Sequence, residues 1–147
     1  MRTAALAATL MLLVACAKKE EAPAPAAPPP PPPAPTVADF AGTWNSETTI
    51  AGATAPVKTT LVINADGTGT MNAEGRPPVA LTLSMSGDSL IAQSGEYESL
   101  VRKGTKVSIR TANVKNGNTL SGTVLATYKL AKGDTTATGT MTATKAP

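Results

Sequence analysis

From Val37 onward, apolar and polar side chains alternate along the chain with a period of two residues. The clearest run places Val57, Thr59, Leu61 and Ile63 at one parity and Lys58, Thr60, Val62 and Asn64 at the other. Alternate side chains of a strand point to opposite faces, so one parity is predicted to face a core and the other to face solvent. Over 120–130 the same rule assigns Tyr128 and Leu130 to the inner face. The pattern therefore predicts half-buried antiparallel strands.

Turn signals separate these runs at regular spacing. Asp66-Gly67, Gly87-Asp88 and Asn116-Gly117 are typical of tight turns between paired strands. Eight strands are predicted, at 40–50, 57–64, 68–74, 79–86, 89–95, 105–114, 119–130 and 135–144. Short links between consecutive strands favour an antiparallel meander closed into a single small all-β barrel, because closure removes exposed edges. One helical turn within Glu96–Arg102 is the only helical element that competes with this assignment.

Three glycines lie inside predicted strands, and each is followed by threonine: Gly69, Gly122 and Gly139. Glycine has no side chain to pack, so it weakens an ordinary strand. Its recurrence within these strands fits the tight bends that a small barrel requires.

The chain begins with the pattern of an export signal. Arg2 supplies a positive charge, and Ala4–Val14 is an uncharged, mostly apolar stretch of eleven residues, too short to span a bilayer. Leu13-Val14-Ala15-Cys16 then resembles the lipobox of bacterial lipoproteins. That resemblance implies a signal peptide over 1–15, cleavage before Cys16, and diacylglyceryl and acyl chains on Cys16 that anchor the protein. Ala17, rather than Asp, follows the cysteine, which implies the outer membrane facing the periplasm more than the inner membrane.

A linker follows the cysteine, so the chain divides into 1–15, 16–35 and 36–147. Its stretch Ala22–Pro35 contains nine prolines and five alanines and nothing else. Such a sequence adopts polyproline II and cannot form a packed core. At about 3.1 Å per residue it reaches on the order of 40 Å. The segment 36–147 is predicted to be the folded, monomeric domain.

Composition narrows the possible functions. Histidine is absent and Cys16 is the sole cysteine, so the commonest general base, the commonest metal ligand and any intrachain disulfide are all missing. We therefore expect neither an enzyme nor a cofactor or metal site. The formal charge of +3 is too small to predict a nucleic-acid partner. Residues 36–98 hold seven acids and two bases, whereas 99–147 hold eight bases and one acid, so the domain has an acidic and a basic half.

The start of the domain carries a family resemblance. Gly42-Thr43-Trp44, on the first of eight strands, resembles the calycin group, which comprises lipocalins, fatty-acid-binding proteins and avidins. The resemblance implies that Trp44 closes one barrel end or lines its pocket, under a basic side chain from the last strand, here Lys145. Trp44 as a plain core residue remains the alternative. The lipocalin Thr-Asp-Tyr signature and the pocket tryptophans of avidins are missing.

A second resemblance concerns the middle of the domain. Ser94-Gly95-Glu96-Tyr97 and Lys103-Gly104 are similar to the pattern that lysozyme-inhibiting lipoproteins present to the enzyme. It implies that Ser94 and Lys103 would be the inserting residues. The spacing is shorter here, and the aromatic residue before Lys-Gly is lacking.

A basic cluster occupies the same region and extends the possible interaction surface formed by Ser94 and Tyr97. Its members are Arg102, Lys103, Lys106, Arg110 and Lys115. They could contact an anionic envelope polymer or an acidic protein cleft, or they could be a solvated strand face that resists edge pairing.

These observations lead to three hypotheses of function. The first is an envelope lipoprotein whose barrel binds a small apolar ligand or an envelope component. The second is a periplasmic inhibitor of a lysozyme or a protease, and the third is a structural accessory without ligand. A sizeable interior cavity would favour the first, and its expected lining is Leu81, Leu83, Val107, Ile109, Val124 and Ala126. A filled interior with a protruding loop over Ser94–Lys106 would favour the inhibitor.

Overall fold

The computed structural model describes residues 31–147, and Pro32–Pro147 form one compact unit. The predicted signal peptide, Cys16 and nearly all of the predicted linker lie outside the described residues.

Within residues 31–147, nine β-strands form a single antiparallel sheet, and eight of them make up the barrel wall. The strands are β1 (Gly42–Ile50), β2 (Val57–Ile63), β3 (Thr68–Asn72), β4 (Val79–Ser86), β5 (Ser89–Ser94), β6 (Tyr97–Glu98), β7 (Lys106–Asn116), β8 (Thr119–Lys129) and β9 (Thr135–Lys145). The predicted all-β, eight-stranded antiparallel fold is confirmed, and the bounds of all eight strands agree within two residues. The additional strand, β6, has only two residues.

The barrel closes in two places. Each strand pairs with the next along the chain except β5, which bypasses β6 and pairs with β7, and β1 pairs with β9. The closing ladder runs from Trp44 opposite Lys145 to Ile50 opposite Gly139. Consecutive strands of the wall are therefore neighbours throughout, which is the predicted meander.

Alternation decides which side chains fill the barrel. On β2, Thr59, Leu61 and Ile63 are buried while Lys58 is exposed. The largest fully buried side chains are those of Trp44, Tyr128, Phe40, Leu90 and Leu120. Few rings are available, so aliphatic residues and methionine make most of the core.

The three strand glycines lie where neighbouring backbones approach closely. A Cβ atom at Gly69, Gly122 or Gly139 would lie 2.6, 1.9 or 2.2 Å from a carbonyl oxygen of the adjacent strand. No side chain fits at these distances without moving backbone. The glycines thus permit the curvature of a narrow barrel wall, as their positions in the sequence suggested.

Three local predictions are wrong. Phe40 belongs to a 3-10 helix over Val37–Phe40, not to the first strand. Its start is fixed by Asp39, whose carboxylate accepts hydrogen bonds from the backbone N–H and hydroxyl of Thr36. These bonds hold the pKa of Asp39 below its usual value.

The segment 96–102 contains strand β6 and bends but no helical turn. Leu130 follows the end of β8 and is 43% exposed, because the alternation stops where the ladder stops.

Candidate functional site

The first barrel end is plugged by Trp44. Its indole N–H donates to the carbonyl oxygen of Phe40 at 2.9 Å, so the 3-10 helix is fastened beneath the ring. The Nζ atom of Lys145 lies 5.5 Å from the centre of the indole, within the range of a cation–π contact. Gly42 makes room for this lysine, since a Cβ atom there would lie 3.0 Å from Lys145 Cε. Trp44 itself is fully buried and does not line the interior cavity.

A loop covers the opposite end. The backbone N–H groups of Val101 and Arg102 donate to the buried hydroxyl of Ser99, and the Ser99 N–H donates to the carbonyl of Thr105. The loop Ser99–Thr105 is thereby folded back over the barrel. The Arg102 guanidinium carbon lies 4.2 Å from the centre of the Tyr128 ring. Each end therefore has an aromatic ring under a cationic side chain. The contact between Arg102 and Tyr128 was not predicted, because no spacing in the sequence relates these two residues.

An enclosed cavity of about 50 Å³ lies inside the barrel. All six residues expected to line it do so: Leu81, Leu83, Val107, Ile109, Val124 and Ala126. Ser99, Leu100 and Val101 of the covering loop contribute to the same wall. Among the described residues, no charged side chain lines the cavity. The cavity is not the sizeable one that would favour ligand binding, since buried side chains such as Leu90, Leu120 and Met141 occupy much of the space inside the wall.

The interior contains a few neutral polar groups. The hydroxyls of Ser46 and Thr59 lie 2.6 Å apart and bridge β1 and β2. The Asn113 amide donates to the hydroxyl of Thr111 at 2.8 Å, while Asn113 Oδ1 is buried and has no hydrogen-bond partner within residues 31–147. Buried polar atoms are nearly always paired. Asn113 Oδ1 is an exception, and it lies against Gly122 of the neighbouring strand, 2.5 Å from where a Cβ atom of that residue would be.

Tyr97 stands at the border of the cavity. Burial, and to a smaller extent the phenol of Tyr128, raises the pKa of Tyr97 to about 12. The ring therefore presents a neutral hydroxyl at any physiological pH.

The other residues of the predicted interaction surface are spread over three locations. Ser94 is on the inner side of β5, where its hydroxyl accepts the backbone N–H of Ile109 at 3.0 Å. Arg102 and Lys103 belong to the loop Ser99–Thr105, and Arg102 is folded against Tyr128. Lys106 and Arg110 are exposed on the outer face of β7. The structure thus separates Ser94 from the outer basic face.

Two further properties concern the residues from 31 to 147. None of their Asp, Glu and Cys side chains form a group of three or more that could hold a metal ion. None of their helices is long and apolar enough to cross a bilayer.

Comparisons with known proteins identify no relatives by sequence. No protein family matches the chain, and a search of curated proteins finds no match either. Among solved structures, the chain is similar to a rhizavidin–biotin complex, with 15% identity and a TM-score of 0.45 over 73% of this chain and 92% of that one. It is also similar to intact afifavidin in its apo form, with 16% identity and a TM-score of 0.40 over 70% of this chain and 81% of that one.

Proposed function

We propose that this protein is a lipid-anchored envelope protein whose barrel binds one small, predominantly apolar molecule. The observation that carries the binding proposal is the enclosed cavity, whose wall, as far as the structure describes the chain, holds no charged side chain. Desolvating a charge inside such a wall is costly, so the end of the ligand that enters is uncharged.

The size of the cavity limits the ligand. An engineered cavity of roughly 150 Å³ binds benzene, and this one measures only about 50 Å³. A molecule larger than a few heavy atoms must therefore displace side chains. Met71 and Met141 line the cavity, and methionine side chains repack more readily than branched ones. Leu100 and Val101 lie on the covering loop, which could move without breaking a barrel strand.

The anchoring proposal is supported by the lipobox-like sequence Leu13-Val14-Ala15-Cys16 and by the Pro/Ala linker after it. An outer-membrane location facing the periplasm belongs to the same proposal. The inhibitor hypothesis ranks second, since Ser94 uses its hydroxyl in a bond to Ile109 within the barrel wall.

Native mass spectrometry of the full chain, purified from membranes in detergent, tests ligand binding. We expect a small-molecule adduct on the wild type and its loss from Ala126→Leu, which fills the cavity. Thr123→Leu, at an exposed position of the same strand, is the control and should keep the adduct. Overpacking costs about 1–3 kcal/mol, so the milder Val124→Ile is measured alongside. No adduct on the wild type, or an adduct insensitive to both filling variants, would reject binding inside the barrel.

A further inference from the structure

The barrel wall is incomplete between β4 and β6. The last residue pair between β4 and β5 joins Leu81 to Ser94, so Val79 and Ala80 at the start of β4 pair only with β3 in the described structure. The two residues of β6 likewise pair only with β7. Two strand edges therefore border a gap in the wall, which we call the seam.

A groove of about 360 Å³ occupies the seam. Its lining comprises Met71, Ala73, Arg76, Pro77, Pro78, Val79, Ala80, Gly95, Glu96, Tyr97, Glu98 and Leu100. This volume falls within the roughly 300–1,000 Å³ typical of small-molecule sites. Prolines have no backbone N–H, so Pro77 and Pro78 leave this edge with few donors for an added peptide strand. The groove therefore suits a small molecule better than an extended polypeptide.

The groove and the interior cavity share a wall. Met71, Tyr97 and Leu100 line both. A molecule passing from one to the other has to displace these side chains, but it breaks no pairing between strands. Entry through the covered end would instead require lifting the loop that the Ser99 hydroxyl holds through two backbone N–H groups.

The charges of the groove define which head group it accepts. Arg76 Nη1 lies 3.2 Å from Glu98 Oε2, and the two side chains are 36% and 53% exposed. Exposed ion pairs of this kind contribute little, so a ligand can replace the contact. Glu96 adds a second carboxylate, and its Oε1 atom lies 3.9 Å from Lys129 Nζ. Both acids of the groove are therefore held in exposed ion pairs that a ligand amine can replace. The Tyr97 ring adds a surface that favours a cation.

We propose that the seam is the entrance and the outer half of the ligand site, and that it takes a small molecule with an apolar body and one protonated amine. The amine lies in the groove near Glu98 and Glu96, and the apolar body passes Met71, Tyr97 and Leu100 into the cavity. This inference rests on the proposed function, since it names the ligand class for the same barrel.

Three probes with one naphthalene body test the charge preference: 2-naphthylmethylamine, 2-naphthylmethanol and 2-naphthoate. Affinities are measured on the full chain in one detergent, so that partition into micelles cancels between variants. We expect the amine to bind about threefold tighter than the alcohol, the scale of a half-exposed charge contact, and the carboxylate to bind weakest. Glu98→Gln should remove the preference, and Glu47→Gln, an exposed residue of β1, should keep it.

Blocking the groove tests the entrance. Ala80 and Ser84 are both exposed on the outer face of β4, but only Ala80 lines the groove. Ala80→Trp should lower the association rate of the amine probe at least tenfold, whereas Ser84→Trp should leave it unchanged. Binding of the probes with no charge preference and no effect of Ala80→Trp would overturn this inference and leave the proposed function standing. Failure of every probe to bind wild-type protein would also overturn this inference, whereas the adduct seen by native mass spectrometry decides the proposed function separately.

Discussion

Tyr97 borders both the interior cavity and the groove at the seam. Its ring is largely enclosed, and desolvation of the hydroxyl disfavours the phenolate. Burial therefore favours the neutral form, and the pKa of Tyr97 is raised from 10.0 to about 12. Tyr97, a residue of the candidate site, therefore makes the stability of the fold depend on pH in the alkaline range.

The stability of the barrel should fall between about pH 10 and pH 12 because of Tyr97. In that window the unfolded chain has lost the phenolic proton and the folded chain still holds it, so raising the pH favours unfolding. The loss should be on the order of 2 kcal/mol. Urea unfolding of wild type and Tyr97→Phe at pH 8, 10 and 12 measures it. The difference between the two proteins should change with pH by this amount, and a constant difference would contradict the raised pKa.

A side chain at Gly122 is predicted to destabilise the barrel. A Cβ atom there would lie 1.9 Å from the Ala112 carbonyl oxygen and 2.5 Å from Asn113 Oδ1. The Ala112 backbone and the buried Asn113 amide cannot move away without disturbing the strand pairing. Gly122→Ala should therefore destabilise the barrel by about 1–3 kcal/mol or more. Gly95→Ala is the matched control, since no atom lies within 4 Å of its Cβ position. Equal unfolding midpoints for the two variants would show that the strands do not approach this closely.

At the scale of elements, the loop Ser99–Thr105 depends on one hydroxyl. Ser99 is 2% exposed and accepts from the N–H groups of Val101 and Arg102. Ser99→Ala should cost about 1–3 kcal/mol, because it leaves partly buried donors unpaired. Amide hydrogen exchange at Val101 and Arg102 should accelerate, while Ser86→Ala, at an exposed position, should change neither quantity. Unchanged exchange in Ser99→Ala would mean that other contacts hold the loop.

The alternation of side chains, together with the turn signals between the runs, was sufficient to predict every strand of the barrel wall. It works because one parity of each strand packs inside the barrel, so burial and sequence share a period. It failed at Phe40 and Leu130, which lie beyond the strand ends where that constraint stops. It failed also over 96–102, where β6 is held by pairing with distant β7 rather than by any local signal.

Of the candidate site, the sequence predicted the cavity lining but not the seam. The cavity lining followed from the inward parity of residues such as Leu81 and Val107, since the inside of a closed barrel is common to all its strands. The seam did not follow, because it arises where β5 leaves β4 after the pair Leu81–Ser94. Nothing local in the sequence relates Glu96 and Glu98 to Arg76, and only the fold places the three on one groove.

At the scale of the whole molecule, the two barrel ends are not equivalent. The chain enters the barrel at the end that Trp44 and Lys145 close, since the 3-10 helix Val37–Phe40 is fastened there. The covering loop lies at the opposite end, and the seam opens through the side wall beside this loop. Tyr97 and Leu100 line both the interior cavity and the groove at the seam. The proposed binding site is thus remote from the point at which the linker joins the barrel. Lipid attachment and ligand binding are therefore proposed to depend on different residues.

Attachment can be tested on the intact protein. We expect cells grown with an alkyne-bearing fatty acid to label the wild-type chain, because the proposed lipid chains are joined to Cys16, the only thiol in the sequence. Cys16→Ser should abolish the label and release the protein from its proposed membrane anchor, since two or three acyl chains supply about 0.8 kcal/mol per buried methylene. Ala17→Ser keeps the cysteine and should keep the label. Label that persists in Cys16→Ser would place the acyl chains elsewhere and refute the proposed anchor.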